Sequence, residues 1–103
     1  MKLPIDAIVA PAKLHSYLLV WQIKNDKSAW LATAGYQREN WQGLAQDLLK
    51  LIQTTEAVAD ETNRYGQSYV VSGILHGPNG KQLAVRTIWM TERETGQTKF
   101  ITT

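Results

Sequence analysis

Apolar residues change their spacing once along this chain, near residue 54, and that change dictates the fold class. Upstream, Trp41, Leu44, Ala45, Leu48, Leu49 and Ile52 recur at steps of three and four. Such spacing puts them on one face of a helix over residues 40–53, with Asn40 as its cap. Gln42, Gln46, Asp47, Lys50 and Gln53 form the wet face. Leu14, Tyr17, Leu18 and Trp21 show the same spacing behind Pro11, whose missing N–H is not needed at a first helical position. A short helix over residues 11–21 follows. Asn25-Asp26 marks a turn and a cap, and a second short helix over residues 27–34 carries Trp30 and stops at Gly35. Residues 1–10 read as an extended lead-in.

Downstream the pattern is that of strands. Residues 54–64 form a polar edge strand, and residues 68–76 are rich in Tyr and Val. Gly77-Pro78-Asn79-Gly80 is a tight turn, since Pro presets one φ while Asn and Gly tolerate positive φ. Residues 81–92 return as a strand, and a turn near Thr95-Gly96 leads to a last strand over residues 98–103. The fold class is therefore α+β: two short helices and one longer N-terminal helix on a C-terminal antiparallel meander of three to four strands. One domain over residues 1–103 accounts for the whole chain, helical over about 11–53 and a sheet over about 54–103.

Composition narrows the chemistry. There is no Cys and there are two His, so disulfides, thiolate metal sites and a structural zinc are not expected. No phosphate-cradling glycine loop, zinc-protease motif or nucleophile elbow occurs, so no cofactor and no metal are expected. No apolar run approaches the roughly 18 residues of a membrane span, and no signal peptide is visible. A cytoplasmic protein is the expectation. The net charge of +2 is too small to imply nucleic-acid binding by itself, and the slight excess of Lys and Arg lies in the helical half.

Strand parity sorts the candidate functional side chains. An even-numbered loop at the GPNG turn would make facing residue numbers sum to about 157. Ser68, Val70, Ser72, Ile74, His76, Lys81, Leu83, Val85, Thr87 and Trp89 would then share one face. Arg86 would lie with Tyr69, Val71, Leu75, Ala84, Ile88 and Met90 on the other; an odd loop reverses one strand. A guanidinium among aliphatic neighbours needs an acid, for which Glu56, Asp60 and Glu61 are candidates, or an anionic ligand. His76 and Lys81 flank the turn and are either solvated or an acid–base group beside a cation. His15 lies beside Leu14 on the first helix and reads as a half-exposed surface histidine. Lys13 is one turn from Tyr17 and Lys27 opens the second helix; by default both are solvated charges. Thr87 and Thr102 would pair across the last two strands.

The segments KLHSYLL (Lys13 to Leu19), Lys27 with AWLATAGY (Ala29 to Tyr36), NWQGL (Asn40 to Leu44), YGQSYVVSGILHGPNG (Tyr65 to Gly80), VRTIW (Val85 to Trp89) and FITT (Phe100 to Thr103) resemble a bacterial family of unknown function over nearly the whole chain. The resemblance implies stand-alone small proteins or C-terminal modules in polymorphic-toxin and toxin–antitoxin settings. The order of helices and meander is similar to the barnase/colicin/RelE-like group of metal-independent RNases. That similarity implies an endoribonuclease needing a base for the 2′-hydroxyl, an acid for the leaving oxygen and cations for the phosphorane. On that reading the catalytic candidates are Arg86 on phosphate, His76 as acid or base, Lys27, and Thr87 and Thr102 on phosphate oxygens. Lys13 and Lys81 would carry substrate charge, and Tyr65 and Tyr69 would stack bases. RNA and a cognate antitoxin are the implied partners. A second reading stays open: a non-enzymatic interaction module, either an antitoxin- or immunity-like partner or a homodimer joined at an edge strand.

Overall fold

A computed structural model describes residues 1–23 and 27–103, and the expected Asn25-Asp26 turn lies outside the described residues. The element order is α1 (Pro11–Lys13) running into a π-helical turn (Leu14–Leu18), α2 (Ser28–Ala32), a 3-10 turn (Arg38–Asn40), α3 (Trp41–Thr54), then β1 (Val58–Asn63), β2 (Gly66–His76), β3 (Gln82–Glu92) and β4 (Thr98–Thr102). The strands form one antiparallel sheet in the order β1-β2-β3-β4. This is the α+β architecture that the change of periodicity predicts. No helix among the described residues is long and apolar enough to cross a membrane.

The core lies between α3 and one sheet face. Leu44, Leu48, Leu51 and Ile52 of α3 are buried, as the helical spacing requires. They meet Val71 and Leu75 of β2, Leu83, Val85 and Trp89 of β3, and Phe100 of β4. Trp89 and Phe100 pack edge to face at 5.2 Å, a favourable aromatic geometry. The Trp89 indole donates to the Thr87 hydroxyl at 2.8 Å, which donates to the Val71 carbonyl at 2.7 Å. That chain satisfies the polar atoms the core encloses.

The register corrects the parity expectation. Ser72 faces Arg86 and His76 faces Gln82, so facing numbers sum to 158. The connection spans five residues, 77–81, an odd loop. Odd-numbered residues of both strands therefore point inward: Val71, Leu75, Leu83, Val85, Thr87 and Trp89 are buried. Arg86 points outward with Val70, Ser72, Ile74, Ala84, Ile88 and Met90. It is exposed, and its guanidinium has no acidic partner among the described residues. Asp60 and Glu61 do not pair with it, because β1 borders β2 and not β3, and Glu56 pairs with the N-terminal ammonium instead. Lys81 lies in the loop and does not share a strand face with His76, which pairs with Gln82.

The GPNG turn is anchored to the helical layer. Asn79 Nδ2 donates to the Thr33 carbonyl at 2.9 Å, and Asn79 N to that of Ala34 at 3.3 Å. Approach is so close that a Cβ on Gly77 would sit 2.1 Å from the Ala34 oxygen. The Tyr36 hydroxyl donates to Asp47 Oδ2 at 2.6 Å and lies 3.2 Å from the His76 carbonyl, tying α3 to the end of β2. Asn40 occupies the N-cap position of α3, as expected, but its side chain turns back to the 3-10 turn, where its Oδ1 accepts from Gln37 N at 2.7 Å. The lead-in does more than extend. Ile8 N donates to the Thr98 carbonyl and Phe100 N to that of Ile8, a parallel bridge along the outer edge of β4.

Candidate functional site

The first helix departs from its expected spacing, and the departure builds a site. After Pro11 and one ordinary turn, Leu19 N reaches back five residues to the Leu14 carbonyl at 2.8 Å. The widened turn accommodates one extra residue. Leu14, Leu18 and Leu19 enter the core, whereas Tyr17 is 51% exposed and Trp21 lies at the surface. Lys13 and Tyr17, four residues apart, flank the turn on one side.

On that side lies a hollow of about 420 Å³ lined by Lys13, Tyr17, Leu18, Lys27, Ile101, Thr102 and Thr103. Three remote segments build it: the π turn, the residue before α2, and the end of β4. A bulge where β4 pairs with β3 shifts the register between the Thr102–Ile88 and Phe100–Trp89 pairs and re-aims the strand end. The Thr103 hydroxyl donates to the Arg86 carbonyl at 3.3 Å, which sets Arg86 beside the rim. The Lys27 ammonium stands 6.0 Å from the Trp30 ring centroid. No Asp or Glu side chain lines the hollow among the described residues. Two ammonium groups, two hydroxyls and a phenol with no acidic side chain among the described lining residues favour an anion, and phosphate oxygens match hydroxyl donors and point charges.

The expected site residues separate into those that meet and those that do not. Lys13, Lys27 and Thr102 converge in this hollow. Thr87 is fully buried on the inner sheet face and is occupied by Val71 and Trp89, while Thr102 faces Ile88, so the two threonines do not pair. His76 lines a different hollow, of about 350 Å³, with Asp47, Lys50, Leu51, Thr54, Ile74 and Leu75. Lys81 is exposed in its loop and lines neither of these. Tyr65 stands at the β1–β2 turn, where its hydroxyl accepts from Arg64 at 2.8 Å. Tyr69 is half-buried against the core and lines neither of these hollows. Tyr17 and Thr103 complete the hollow although the sequence reading assigned them no role. Their signal was present: both lie inside the KLHSYLL and FITT segments.

Residues 4–103 match the family described as a domain of unknown function (DUF6883), and the chain belongs to that family. Among solved structures it is similar to a chain of the contact-dependent growth inhibition toxin–immunity protein complex from Klebsiella pneumoniae 342. The TM-score is 0.70 at 20% identity, over 93% of this chain and 96% of that chain. The likeness shows a shared fold. No curated protein matches the chain.

Proposed function

We propose that this chain is a metal-independent, RNase-like toxin domain whose substrate phosphate occupies the Lys13–Lys27 hollow. The observation that carries the reading is the convergence of two lysines, Thr102, Thr103 and Tyr17 in one hollow that no Asp or Glu side chain lines among the described residues. The fold likeness to a chain from a complex between a growth-inhibition toxin and its immunity protein supports the setting. In the reaction the RNA 2′-oxygen attacks phosphorus, the P–O5′ bond breaks, and the 2′-hydroxyl proton leaves to a base while an acid protonates O5′. Lys13 and Lys27 neutralise the charge that develops on the phosphorane, and the threonine hydroxyls hold its oxygens. Arg86, beside the rim, extends the positive field along the RNA. With His76 in another hollow, the proton carriers at hand are the two lysines and the Tyr17 phenol.

The test is cleavage of a mixed RNA by the purified chain in excess EDTA. The reading expects cleavage, and a loss of about 100-fold or more in Lys13→Ala/Lys27→Ala, the scale set by removing preorganised charge stabilisation. Equal cleavage by the folded double variant would refute the site. Growth arrest on expression, relieved by a cognate partner protein, is the matching cellular outcome.

One observation favours the second reading, a partner-binding module. The outward sheet face carries Val58, Ile74 and Ile101 exposed, with Val70, Ile88 and Met90 half-buried beside them. An apolar surface of this kind suits a protein partner. Edge strand β1, exposed along its whole length, offers the other route, a homodimer.

A further inference from the structure

The π turn has two flanks, and the second also carries a group of functional side chains. His15, on the side away from Lys13 and Tyr17, lines a shallow hollow of about 470 Å³ with Arg38, Glu39 and Trp41. Each of the first two is held in place. Ser16 Oγ lies 2.7 Å from His15 Nδ1, and the imidazole meets the Trp41 ring edge to face at 5.5 Å. Arg38 Nε donates to the His15 carbonyl at 2.8 Å. Those contacts leave His15 Nε2, the two outer guanidinium nitrogens of Arg38 and the Glu39 carboxylate without hydrogen-bond partners among the described residues. Trp41, like Ala45 and Leu49 of the same helix face, is half-buried against the core and keeps part of its ring accessible.

We infer that this hollow is a second nucleotide subsite, for an RNA residue outside the scissile phosphate; the inference rests on the RNase reading of the first hollow. The chemistry selects a nucleotide over a bare anion. Arg38 offers the forked donor geometry that phosphate accepts, and Trp41 with His15 offers an aromatic surface for a base. Glu39 would repel a phosphate, so its place is on the ribose hydroxyls or an exocyclic amine, which it accepts. RNA crossing the solvent crest of the turn at Ser16 would enter both hollows. The turn is one helix thick, about 10–12 Å with side chains, so a mononucleotide fills one hollow and an oligonucleotide fills both.

The experiment is a titration of the full chain with adenosine 5′-monophosphate, read by NMR at the Trp41 indole N–H and the Arg38 Nε–H. Millimolar nucleotide should shift both signals in the wild type and in Lys13→Ala/Lys27→Ala, and Arg38→Gln should abolish the Trp41 shift. His15→Gln, which leaves Arg38 intact, should weaken it. No shift, a shift that persists in folded Arg38→Gln, or an equal shift with inorganic phosphate alone would overturn the assignment. Kinetics supply an independent arm. Arg38→Gln should raise KM about tenfold for a hexanucleotide, with kcat and dinucleotide turnover unchanged. An equal fall in kcat on both substrates would contradict a subsite remote from the reaction. If the wild type cleaves no RNA, the catalytic reading fails, and the nucleotide titration still decides this subsite.

Discussion

Tyr36 is buried, and its hydroxyl donates to Asp47 beside the end of β2. Burial, then the hydrogen bond to Asp47, push its phenol well above the ordinary tyrosine value. The folded state therefore holds this proton more tightly than the unfolded chain. The stability it contributes is complete below pH of about 10 and declines as pH rises beyond that value. Urea denaturation of wild type and Tyr36→Phe across alkaline pH checks this. The variant should be weaker by about 1 kcal/mol at neutral pH, the usual net worth of one hydrogen bond. It should also lose less stability above pH 10; parallel curves would contradict the account. Individual residues also mark where the sequence was hard to read. Thr87 and Thr102 look alike by type, yet one closes a hydrogen-bond chain in the core and the other lines a hollow. The β2–β3 register turns Thr87 inward, and the β4 bulge re-aims Thr102.

At the scale of elements, α3, β2 and β3 were legible because their apolar periods are long and regular, whereas polar β1 was read over residues 54–64 and spans Val58–Asn63. The first helix was not legible. Leu14, Tyr17, Leu18 and Trp21 fit an α-helical stripe, whereas the π turn buries Leu14, Leu18 and Leu19 and turns Tyr17 and Trp21 outward. Burial of Leu19 outweighs the regular hydrogen-bond pattern, and an apolar count cannot register one extra residue in a turn. The parity of the GPNG loop failed for a related reason. Pro and Gly announce a turn, but docking of Asn79 onto Thr33 and Ala34 sets its length. A deletion follows from the π turn. Removing Ser16 places the three leucines at i, i+3 and i+4, the ordinary α pattern. Circular dichroism should show a folded protein of similar or higher melting temperature. RNA cleavage should fall at least tenfold, because closing the widened turn moves Lys13 and Tyr17 relative to Lys27 and the end of β4. Full activity in the folded deletion variant would show that the widened turn is not needed.

At the scale of the whole molecule, the same sheet serves two purposes. Its inner face carries the core, and its last strand delivers Thr102 and Thr103 to the helical layer, where Lys13, Tyr17 and Lys27 wait. Of the candidate hollow's lining, Lys13, Lys27 and Thr102 were singled out by residue type and resemblance, and Tyr17 and Thr103 were not. Arg86 was read as an anion-binding group in a concave sheet, but the structure sets it on the open face, adjoining the hollow through its backbone contact with Thr103. Its guanidinium pairs with no acid among the described residues, which keeps it available to a polyanion crossing the rim.

The position of the bound phosphate decides the matter. The most direct measurement is a crystal structure of the chain with a short RNA made uncleavable by a 2′-deoxy substitution at the scissile residue. The account predicts a phosphate within hydrogen-bond reach of the Lys13 and Lys27 ammonium groups and the Thr102 hydroxyl. An RNA seated instead on the Asp47–His76 hollow, or on the outward sheet face with the lysines unoccupied, would contradict it.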